Sequence, residues 1–137
     1  MQKENIAVSH PVVALTFTGA NFAASQDATA VPATANNNTY AFPWSGHVIG
    51  LSVDLNDDVT SGTITLKPTV GGTESTEIAV QLDTENTAQY SGVCGREEIP
   101  FAANQQIGVV YDSSADLAPE TADGNVVLFV VFDEVDY

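Results

Sequence analysis

Ser45, His47 and the ten aspartates of this chain are the residues that could, by type, build a hydrolytic triad. A serine nucleophile needs a base in hydrogen-bond reach and an acid that orients the base. Pro43-Trp44-Ser45-Gly46-His47 is not a nucleophile elbow: no glycine precedes the serine at the required spacing, and no helical pattern follows. On a strand Ser45 and His47 share one face, an ordinary setting for two surface polar residues. No catalytic residue is expected.

Asp54-Leu55-Asn56-Asp57-Asp58 opens like a calcium loop, with oxygen ligands at the first, third and fifth places. The remainder departs from that pattern. Val59 stands where the turn glycine belongs, and Thr65 stands where a bidentate glutamate is needed. The run lies at a strand end, so it reads as turn chemistry. His10 and His47 lack any metal-ligand spacing. Cys94 is the single cysteine, which excludes an intrachain disulfide; Glu97 and Glu98 oppose the help Arg96 could give a thiolate. Glu97-Glu98 and Asp133-Glu134 are adjacent acids in a chain of 18, and no sugar cleft between them can be read from sequence. Neither a cofactor nor a metal is expected. Tyr40, Phe42 and Trp44 alternate so as to face one way, as core or subunit packing, or as a platform for a glycan.

The elements that position these residues read as strands. His47-Val48-Ile49-Gly50-Leu51-Ser52-Val53-Asp54-Leu55 alternates with period two, the mark of a strand with one buried and one wet face. Val12 to Thr18 forms a first strand closed by Gly19; Thr39 to Phe42 is a short one cut by Pro43. Thr63 to Val70 contains Pro68, which predicts an edge or a bulge. Gly71-Gly72 then turns the chain into Glu77–Leu82 as a hairpin partner. Residues 89–93, Gln106–Tyr111 and Val126–Val131 complete a set of about eight strands. The last run is apolar on both faces, which predicts cover from the opposite sheet and from another subunit.

Composition narrows the function. The 137 residues fit one domain, and 44% hydrophobic content supports a core. Three basic residues against 18 acidic ones, a formal charge of −15, exclude phosphate neutralisation and hence nucleic acid as a partner. The same charge opposes an anionic membrane, and no apolar run spans one. The lysine deficit suits salty water or an exposed particle surface, where screening relieves self-repulsion. Met1-Gln2-Lys3-Glu4-Asn5 lacks a signal-peptide layout, so synthesis in a host cytoplasm is expected.

From Gly46 onward the chain resembles the head domain of collagen-like bacterial and phage fibre proteins and of virion proteins. Three stretches carry the likeness: Gly46–Leu55 followed by Ser61-Gly62-Thr63-Ile64-Thr65, then Ile99–Val109, then Leu117–Asp123 leading into the last strand. The resemblance implies an all-β, jelly-roll-like antiparallel sandwich that assembles as a homotrimer on the outside of a particle, without enzymatic activity. This chain lacks a Gly-X-Y stalk and starts at its own methionine, so a capsid decoration (cement) protein on the outer capsid is expected. Its partners would be the major capsid protein and itself. A receptor- or glycan-binding head of a tail fibre or spike is the alternative. The chain divides into an extended N-terminal arm and first strand at 1–18, a long loop at 19–39, ordered or packed on a neighbouring subunit, and the sandwich at 40–137. Capsid and subunit contacts are expected from Lys3, His10, Val12, Leu15, Phe17, Phe42 and Trp44.

Overall fold

A computed structural model of the protein describes residues 11–95 and 97–133. In chain order the strands are β1 (Val12–Gly19), β2 (Thr29–Ala30), β3 (Thr39–Tyr40), β4 (Gly46–Leu55), β5 (Ile64–Val70), β6 (Thr73–Glu74), β7 (Val80–Leu82), β8 (Gln89–Val93), β9 (Pro100–Phe101), β10 (Ile107–Ser113) and β11 (Gly124–Phe132). No helix occurs among the described residues. The strands that the period-two runs predict are present. The short strand expected from Thr39 to Phe42 is present as β3, ending at Tyr40, and the additional ones, β2, β6 and β9, are two-residue pairings too short to leave a periodic trace.

The pairing is nested. β1 lies against β11, β2 and β3 against β10, β4 against β8 and β9, and β5 against β6 and β7, all antiparallel. The chain is thus one long hairpin whose rungs go alternately to two sheets. Its tip is Gly71-Gly72, where φ values of +59° and +82° give the two-residue turn that matches strand twist and that glycine adopts without strain. Two further pairings, β11 with β4 and β10 with β5, close a sheet of order β1-β11-β4-β8 and a sheet of order β2-β10-β5-β6. This winding is a jelly-roll-like β-sandwich.

Between the sheets, Leu15 and Phe17 of β1, Leu51 and Val53 of β4, and Val126, Leu128 and Val130 of β11 meet Ile64, Leu66, Val80, Leu82, Ile107 and Val109. These fill the core by the strand alternation itself. Pro68 is accommodated in a local gap. Its carbonyl accepts from Ser75 N–H at 2.9 Å, so its missing donor points to the side where β6 has ended and β7 has not begun. On that side β5 is locally an edge, as the proline predicts.

The strict alternation of β4 fails at one place. Gly50 pairs with Phe129 but Val48 with Val130, leaving Ile49 as an extra residue. That bulge resets the parity. Val48 turns into the core with Leu51, while His47 moves to the outer face together with Gly50, Ser52 and Asp54.

Residues 19–39 are held against their own chain by main-chain donors on distant acceptors. Asn21 N–H donates to Asp123 Oδ1, Ala24 N–H to Glu120 Oε1 and Ala28 N–H to Asp112 Oδ1, at 2.9, 2.8 and 2.8 Å. Phe22 anchors this segment. Gly19 and Gly124 face each other across β1 and β11; the Phe22 ring occupies the space a side chain on Gly19 would take, and with Leu55 it crowds that of Gly124. The ring also meets Tyr111 edge-on at 4.9 Å.

Candidate functional site

Ser45 and His47 do converge with an aspartate. The main chain continues the β4–β11 ladder past Phe132, Asp133 N–H donating to Ser45 O at 3.1 Å, and so carries Asp133 to the same corner. Ser45 Oγ donates to Asp133 Oδ2 at 3.0 Å, and Asp133 Oδ1 lies 2.7 Å from His47 Nδ1. That second contact is off the direction of a ring hydrogen bond and acts as a charge contact when the imidazole is protonated. The carboxylate therefore stands between serine and histidine. A hydroxyl directed at the acid rather than at the base is not primed for attack. The trio ties the end of β11 to the start of β4.

The acidic turn after β4 is likewise occupied with holding loops. Asp54 Oδ1 accepts from Gln89 Nε2, Asn56 Oδ1 from Asp123 N–H, and Asp58 Oδ1 from Thr87 Oγ1. No group of three or more His, Cys, Asp or Glu side chains placed to hold a metal occurs among the described residues. The Cys94 thiol donates to Val48 O at 3.3 Å, and burial, with Glu98 and Glu77 nearby, pushes it above its ordinary value. That favours the neutral thiol over a nucleophilic thiolate.

The aromatic residues close one end of the sandwich. Tyr40 stacks on Phe42 with ring planes 2° apart, and Phe132 collects the edges of Phe42, Trp44 and Phe101 at 5.1, 5.4 and 6.2 Å. Tyr40 further meets Phe17 at 5.3 Å and donates from its hydroxyl to Thr16 O at 2.8 Å. Phe42 and Trp44 remain half-buried, leaving part of each ring available at this end.

Of the residues expected to make contacts, Val12 is exposed, on the outer face of β1. Leu15 and Phe17 are not surface residues: both lie in the core, because register with Leu128 and Val126 of β11 turns the odd-numbered positions of β1 inward. Lys3 and His10 lie outside the described residues.

The outer faces of the two sheets differ in charge. On the β10–β5 sheet, Lys67 lies 3.4 Å from Asp112 and 3.9 Å from Glu74. The Ala28 N–H, and then Lys67, hold the Asp112 carboxyl below its ordinary value against the opposing effect of burial. On the other sheet the cross-strand row Ala14, Phe129, Gly50, Val93 and the next row Thr16, Val127, Ser52, Ser91 carry no charged side chain. Phe129 and Val127 are half-exposed in mid-sheet, and Val93 is 83% exposed. The apolar character of Val126 to Val131 on both faces signalled this surface; Val93 stood in a short polar segment without such a signal.

No known protein family and no curated protein matches the sequence. Chains of solved structures also match, two of them over nearly the whole chain. One is a chain of the capsid asymmetric unit of cyanophage Pam1, 14% identical, with a TM-score of 0.53 over 96% of this chain and 97% of that one. The other is a chain of the acidic stable capsid structure of Helicobacter pylori bacteriophage KHP30, 10% identical, with a TM-score of 0.54 over 94% of this chain and 97% of that one. The fold of this protein is one that also occurs, at the same length, among the chains of phage capsids.

Proposed function

We propose that the chain is a structural protein of a tailed-phage-like virion, a decoration (cement) protein that binds the outer capsid surface as a homotrimer and stabilises it. The observation that carries this reading is the end-to-end fold likeness to chains of two phage capsids. The corner of Ser45, His47 and Asp133 agrees with it, since its hydrogen bonding favours bracing over catalysis. A trimer placed over a junction of coat subunits would multiply weak contacts by avidity. The N-terminal segment, with Lys3 and His10, supplies coat contacts together with Val12, Phe42 and Trp44, and the acidic remainder faces solvent.

The test is occupancy on purified particles. A decoration protein is present in numbers that scale with the coat shell, and deletion of residues 1–11 removes it from particles while its circular dichroism is unchanged. Copy numbers matching a tail fibre, together with direct adsorption to host cells, would replace this reading with a receptor- or glycan-binding head. The half-buried aromatic end of the sandwich would then be the place to look.

A further inference from the structure

We propose that the uncharged outer face of the β1-β11-β4-β8 sheet is the surface through which copies of this chain associate. The inference deepens the homotrimer of the proposed function by naming the face that makes it.

The argument begins with charge. Each copy carries −15, so two copies repel at most approaches. Contact with another copy is favoured where like charges do not meet. The opposite sheet displays Lys67 among Asp112 and Glu74, a face suited to water. The β1-β11-β4-β8 face has two successive rows free of charge across four strands, bounded by Asp54 on one side and Asp133 near the other. A basic partner would instead be drawn to the acids elsewhere on the molecule. An uncharged face on so acidic a chain fits a second copy.

The side chains there agree. Phe129 and Val127 stand in the middle of the sheet, Val93 projects from β8, and Val12 and Ala14 flank them on β1. Gly50 lies beside Phe129 without a side chain of its own, and a Cβ built there would come within 3.4 Å of the ring. The ring thus forms a low apolar ridge. Val12 is 57% and Val93 83% exposed, so burial against another copy removes apolar surface from water at both margins. Screening by salt weakens the repulsion between copies without touching the apolar contact, so association strengthens as ionic strength rises.

The experiment is solution mass by light scattering on the full chain, over a concentration series at low and at molar KCl. The wild-type protein is expected as an oligomer, more so in salt. Val93→Glu and Val127→Lys are expected to give the 14.4 kDa single chain with unchanged circular dichroism, and Thr65→Glu on the other sheet is expected to leave the oligomer intact. Val127→Lys lowers the net charge, so loss of association in that variant separates apolar contact from simple repulsion. Retention of the wild-type mass in both variants, or a monomeric wild type under all conditions, would overturn the assignment. Capsid binding is read separately. An oligomer dissolved by Val93→Glu that never binds particles leaves this surface standing and removes the cement role; a monomer that decorates particles does the reverse.

Discussion

Replacing Gly19 by alanine adds one methyl group where there is no room for it. A Cβ on Gly19 would lie 2.0 Å from Phe22 Cζ and 2.6 and 2.7 Å from the two Cε atoms. Carbon atoms pack at about 3.5–4.0 Å, so the ring must withdraw by about 1.5 Å or more. Phe22 is 2% exposed and wedged between the facing glycines and Tyr111, so it can move only outward, losing its burial. Truncating a buried phenylalanine costs about 3–5 kcal/mol, and Phe22→Ala is expected in that range. Gly19→Ala forfeits most of the same packing and is expected to cost about 2–4 kcal/mol. The sign reverses in the double variant. Gly19 has ordinary strand backbone, and with the ring gone the methyl group is free to fit. Gly19→Ala in the Phe22→Ala background is then expected to stabilise by about 0.4–1 kcal/mol through the unfolded chain. Urea denaturation of the four proteins measures this cycle. Equal cost of Gly19→Ala in both backgrounds would refute the idea that the ring fills the space beside Gly19.

Two further outcomes are expected. The Asp112 carboxyl, lowered first by the Ala28 N–H and also by Lys67, has a folded value below its ordinary 3.8. Its contribution to stability is therefore present above the ordinary range and is lost as pH falls through the lowered value. Side-chain carbon NMR of Lys67→Met should show the Asp112 titration moving up but staying below the ordinary value, because the Ala28 donor remains; a full return to 3.8 would reject that division. Thermal melting should move upward from low salt to molar KCl, since screening relieves the self-repulsion of a chain of −15; a flat midpoint would exclude net charge as a load on the fold.

How far the sequence could be read depends on whether each signal was local. β1, β4 and β10 were legible because strand period is a property of neighbouring residues, and β11 because its continuous apolar run is equally local. The side each residue faces was legible only in part. Leu15 and Phe17 were assigned to contacts, yet β1 contains apolar residues in both parities, and only pairing with β11 decides which parity is inside. In β4 the bulge at Ile49 changes the parity midway, and nothing in the run itself announces it. The loop at 19–39 was visible as a gap in the pattern. Its restraints were not, since Asn21 and Ala24 find their acceptors 102 and 96 residues away. At the candidate site Ser45 and His47 could be paired on one face from sequence, but choosing Asp133 among ten aspartates required the register of the final strand.

The position of the last two long strands bears on how the protein is made. β10 and β11 are the central members of their sheets, each inserted between strands from the first half of the chain. While a ribosome is still working toward residue 107, β1 and β4 have no common neighbour, and β5 lacks its partner along its whole length. Neither layer can exist as a finished sheet until those late segments leave the exit tunnel. Folding of this domain therefore waits until β11 itself has been translated, and the emerging polypeptide spends the interval before that with unpaired strand edges. Its acidic side chains, spread along the length rather than gathered at one end, hold such unfinished chains apart during that interval.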